Sequence, residues 1–66
     1  MKYYRCKVFA ELNFSNMREG VPGMVVEVLA KDIPGAYKKA MKFTTPVIKK
    51  VVQVTSVELL STQVNL

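Results

Sequence analysis

The chain has 66 residues, with ten Lys or Arg against five Asp or Glu, a formal net charge of +5, and neither histidine nor tryptophan. Half of it is apolar and 23% is charged, a composition that folds rather than one that stays disordered. Its length allows one domain, which would bury only about 60% of the surface its unfolded chain exposes, and leaves too little chain for a walled catalytic cleft.

Residues 2–12 alternate strictly. Tyr4, Cys6, Val8, Ala10 and Leu12 share one parity without charge, and Tyr3, Arg5, Lys7, Phe9 and Glu11 share the other. Period-two alternation predicts a half-buried strand with its even-numbered residues toward the core. Asn13, Ser15, Asn16, Gly20, Pro22 and Gly23 are turn formers, so 13–23 reads as a long exposed hairpin loop, with Phe14 and Met17 folded back over its base. Residues 24–30 are Val-rich and predict a second strand, in which Met24, Val26, Val28 and Ala30 face inward and Glu27 marks the wet side.

Asp32 stands at a helix N-cap position, with Pro34 in the first turn, where a missing amide proton costs nothing. Ile33, Ala36, Tyr37, Ala40 and Met41, extending to Thr44, recur at helical spacing as one apolar stripe, opposite Lys38, Lys39 and Lys42. Pro46 should stop the helix near Phe43. From Val47 to about Leu60 the chain is rich in β-branched residues and predicts a third strand. Its alternation slips at Val51-Val52 and Leu59-Leu60, as bulges would cause. A short helix over 46–52, capped by Thr45 with Pro46 at its first position, is the competing reading.

The expected architecture is α+β: a single β-β-α-β two-layer domain over residues 1–60, with 61–66 as a C-terminal tail. A right-handed crossover gives a three-stranded antiparallel sheet of order 2-1-3, with the helix on the even-numbered face. The odd-numbered face is left open.

The sequence carries no catalytic constellation. There is no histidine to act as a base, and Cys6 lies on the core-facing parity without an activating neighbour. Glu11, Glu19, Glu27, Asp32 and Glu58 are scattered singly, so neither a metal cage nor a carboxylate pair is expected. Gly20-Val21-Pro22-Gly23 is neither a P-loop nor a dinucleotide fingerprint. The expectation is a non-enzymatic chain with no cofactor and no metal. A lone cysteine and a charged Met1–Lys7 segment favour a cytoplasmic protein without a secretory leader, and no apolar run approaches a membrane span.

Charge is the informative feature. Residues 1–30 hold four basic and three acidic side chains, residues 31–50 hold six lysines and Asp32, and residues 51–66 hold only Glu58. The excess therefore falls on 31–50, where no acid interrupts residues 33–50 to supply the i,i+4 pairs that normally accompany a solvated lysine face. Such a one-signed field attracts polyanions and weakens with salt. Lys38, Lys39, Lys42, Lys49 and Lys50 are the first candidates for nucleic-acid binding, with Arg5 and Lys7 second, since Tyr3-x-Arg5-x-Lys7-x-Phe9 alternates aromatic and basic on the open face.

Tyr3, Phe9, Val25 and Leu29 form the expected interface on that same open face. A domain with one thin core gains by covering such a patch, so a homo-oligomer, first of all a dimer, is expected through this face or through the third strand's edge. The contrasting reading is a protein-interaction or inhibitor module docking by its open face, with lysines serving solubility; this size and layout are shared by many small phage- and plasmid-borne proteins. The apolar stripe is too short and too Ala-rich to lie on a membrane.

Overall fold

The computed structural model describes residues 1–14 and 20–61, Ser61 by its backbone alone. The elements run β1 (Lys2–Leu12), β2 (Val21–Ala30), α1 (Ile33–Met41) and β3 (Ile48–Ser61), and the sheet has the order β2-β1-β3 with both pairings antiparallel. This is the expected β-β-α-β arrangement, with β1 central. Among the described residues no helix is long and apolar enough to cross a membrane.

The alternation of β1 becomes burial directly. Tyr4, Cys6, Val8 and Ala10 are buried, joined from β2 by Val26, Val28 and Ala30 and from β3 by Ile48, Val51 and Val54. Ala36 and Ala40 of α1 close this core, four residues apart on one side of the helix. Alanine carries only a methyl, so the helix settles close onto the sheet, and the contact is narrow. Ile33 remains 57% and Tyr37 45% exposed, correcting the expectation of one continuous buried stripe. At about 100° per residue Tyr37 is already turned well away from Ala36. Met41 is half-buried and Thr44 is exposed.

The helix ends are built as read. The Asp32 carboxylate accepts from the Gly35 backbone N–H at 2.8 Å, and Pro34 occupies the first turn. At the other end Lys42 N–H donates to the Lys39 carbonyl and Phe43 N–H to the Ala40 carbonyl, so the helix closes tightly after Met41.

Two local expectations are corrected. β2 begins at Val21, so Pro22 and Gly23 lie within a strand instead of a loop. The register moves from Val8 opposite Met24 to Ala10 opposite Val21, which sets three steps of β2 against two of β1. Gly23 absorbs the extra residue at φ +80°, and on an edge strand proline's missing N–H can face outward. Phe14 is 76% exposed and does not cover the loop base; Met17 lies outside the described residues.

Over 46–52 the strand reading holds against the competing short helix, with β3 running from Ile48 onward. Thr45 does behave as a cap: its hydroxyl oxygen accepts from the N–H groups of Val47 and Ile48 at 3.1 and 2.8 Å. But Thr45 N–H donates to the Ile48 carbonyl, closing a turn, and Asn13 binds the carbonyls of Pro46 and Val47. Ile48 then pairs with Leu12. β-branched side chains that lose rotamer freedom in a helix take the extended backbone offered by β1.

From Ser61 opposite Tyr3 to Ile48 opposite Leu12, β3 takes thirteen steps against nine of β1. The four extra residues are Leu60, Thr55, Val52 and Lys49, each where the register shifts. Those at Val52 and Leu60 match the expected slips in alternation; those at Thr55 and Lys49 were not expected, although each falls in a polar doublet, Thr55-Ser56 and Lys49-Lys50. At Thr55 the hydroxyl donates to the Lys7 carbonyl at 3.1 Å, satisfying an acceptor beside the bulge.

Candidate nucleic-acid interface

The helix and the open sheet face lie on opposite sides of β1, so the candidate cations divide between two layers. Lys38 and Lys39 stand in the last turn of α1 and Lys42 is its C-cap; all three are exposed. This is also where cations favour the helix dipole, so the position has a structural reason before a functional one. Lys39 is tied down: its ammonium donates to the Leu29 carbonyl of β2. One of its three protons is engaged, and the side chain lies along the β2 flank. Lys38 and Lys42 have no such partner among the described residues. With Lys31 they make four exposed cations beside α1 against one carboxylate, Asp32, which is occupied at the helix N-cap.

Lys49 and Lys50 do not join them. β3 pairs Lys50 with Glu11, on the odd-numbered face of β1, and the Lys49 ammonium lies 3.5 Å from the Glu11 carboxylate. Two lysines contiguous in sequence with the helix group therefore serve the other layer.

On that layer Arg5 lies between Glu27 of β2 and Glu58 of β3, directly opposite it on either side. A cation flanked by two cross-strand carboxylates has a much weaker external field than an isolated one. Lys7 lies between Val25 and Ser56 and keeps its charge unopposed in the ladder. Counting Arg5, Lys7, Lys49 and Lys50 against Glu11, Glu27 and Glu58 leaves the open face at +1. The flanking of Arg5 is the feature that sequence reading missed. Its signal was present in the odd-face parity of Glu27, but reading Glu58 needed the bulged register of β3.

The apolar interface candidates occupy the same face in two groups. Tyr3, 37% exposed, is opposite the half-buried Leu29. Val25, 47% exposed, lies one row from the half-buried Phe9. The Glu27–Arg5–Glu58 row separates the two groups.

Among the described residues no three of Cys, Asp and Glu converge as metal ligands would. Cys6 is fully buried, and burial pushes its thiol up. A shallow depression of about 400 Å³ opens beside the start of α1, lined by Lys2, Tyr4, Asp32, Ile33, Pro34 and Leu59. The chain matches no protein-family model, no curated protein and no solved structure.

Proposed function

We propose that this chain is a non-enzymatic polyanion-binding module whose ligand is nucleic acid, held at its phosphates by Lys38, Lys39 and Lys42. The supporting observation is the asymmetry between its layers: the helix side sets four exposed lysines against one occupied carboxylate, and the sheet side is nearly balanced. Lysine is a compact point charge on a flexible stem, suited to phosphate oxygens and unable to read base edges bidentately. Binding of this kind is sequence-tolerant and depends on salt. Lys49, Lys50, Arg5 and Lys7 play a secondary part, damped by Glu11, Glu27 and Glu58.

The test is a titration of fluorescent single- and double-stranded oligonucleotides at several salt concentrations. With three phosphate contacts the logarithm of the affinity should fall against the logarithm of salt with a slope of about −2 to −3. Absence of binding at low ionic strength would remove the reading. A protein partner on the open face is the second reading, favoured by the exposure of Tyr3 and Val25 within a face of balanced charge, which suits a protein surface better than a polyanion.

A further inference from the structure

We propose that a second copy of this chain pairs antiparallel along the outer edge of β3, about a two-fold axis at Val54. In the order β2-β1-β3 both outer strands present one unpaired edge among the described residues, and such edges are templates for another strand. The two edges differ. That of β2 carries Pro22 and Gly23 at one end, and at the other its Leu29 carbonyl is taken by the Lys39 ammonium. That of β3 runs for 14 residues and contains no proline or glycine.

The charges on β3 identify the occupant. Lys50 and Glu58 both stand on the open face, opposite Glu11 and Arg5 respectively, and each is four residues from Val54. A two-fold axis at Val54 sets Lys50 against the partner's Glu58, and Glu58 against the partner's Lys50. The row that crosses β2, β1 and β3 as Glu27–Arg5–Glu58 then continues through the partner's Lys50 to the partner's Glu11. Charge alternates at every step of that row, and symmetry repeats it in reverse. Opposite charges directly across a strand pair are favourable and like charges are not, so the register is specified by the chain itself.

The faces agree as well. Val51 is buried on the helix side and meets the partner's Val57, which lies on that same side opposite Cys6. The bulges at Val52 and Thr55 lie on either side of the axis, so neither shifts Lys50 and Glu58 from their shared face. They also bend the strand, which discourages longer, flat, out-of-register stacking. An isologous contact uses up the β3 edge of both copies, and the blunted β2 edges do not extend it, so assembly closes at a dimer.

The test uses no nucleic acid, so its failure is separate from failure of the lysine reading. Sedimentation of the wild-type chain should show a dimer at high micromolar concentration; a monomer there overturns the proposal. Lys50→Cys and Glu58→Cys are then made as separate proteins, both at exposed positions, and their folding is verified by circular dichroism. Mixed and mildly oxidised, they should give a disulfide-linked heterodimer. Either variant alone should not, because in this register like positions lie about 20 Å apart, the six residues of β1 from Arg5 to Glu11 that the two positions oppose. A dimer whose mixed disulfide does not exceed the single-variant controls overturns the β3 register.

Discussion

Gly20 is where one side chain decides the hairpin. At φ +91° it lies in the left-handed region, and a Cβ there would stand 3.0 Å from the Phe9 Cβ and 3.2 Å from the Ala10 nitrogen. Gly23 has φ +80° but open space around it. Gly20→Ala should therefore cost about 2 kcal/mol or more, combining conformational strain with contact, and Gly23→Ala about 1 kcal/mol. In a domain this size each kcal/mol lowers the melting temperature by about 4–8 °C, so a thermal scan separates the two; equal losses would contradict this account. Asp32→Ala should cost about 1 kcal/mol by freeing the Gly35 N–H, measured by urea unfolding.

Cys6 gives a chemical test at the same scale. Burial raises its thiol pKa in the folded state, so the fold favours the neutral form. That contribution is complete below the ordinary thiol pKa and is lost as pH rises through the folded value. A thiol reagent at pH 8 should therefore modify Cys6 only as fast as the chain opens; immediate stoichiometric reaction would show that the β1 core face is accessible.

The elements were legible in proportion to how far each local pattern agreed with its surroundings. Alternation across β1 marked the strand and its core face, because a strand covered on one side only has nothing to blur its parity, and the right-handed crossover placed it at the centre. Asp32 and Pro34 marked the helix start. What remained hidden depended on pairing. Pro22 and Gly23 read as loop because turn formers are tolerated in a strand only at an edge, which is a property of the sheet. Bulges at Thr55 and Lys49 left a fainter mark, the polar doublets Thr55-Ser56 and Lys49-Lys50, because an extra polar residue strands no apolar side chain on the wet face. The narrow helix contact was also hidden, since spacing alone gives Ile33 and Tyr37 the same weight as Ala36 and Ala40. That contact makes its own claim: Ala40→Leu should overpack the helix against the sheet and cost about 1–3 kcal/mol, measured by chemical denaturation.

Across the whole molecule, the sequence places a +5 excess between residues 31 and 50, and the fold divides it. Lys31, Lys38, Lys39 and Lys42 stay beside the helix, whereas Lys49 and Lys50 are carried by β3 to the other face and to Glu11. Linear contiguity overstated the patch because the chain passes from one layer to the other in the turn at Thr45–Ile48. The candidate site was thus legible as a set of residues and not as a surface. The most direct measurement is a comparison of oligonucleotide affinity and salt slope for the Lys38→Ala/Lys39→Ala/Lys42→Ala variant and the Arg5→Ala/Lys7→Ala variant against wild type. The helix variant should lose most of the affinity and flatten the slope by about 2 to 3, with the sheet variant within about threefold of wild type, since Arg5 is already flanked by two carboxylates. Full affinity in the helix variant, or the larger loss in the sheet variant, would contradict the assignment.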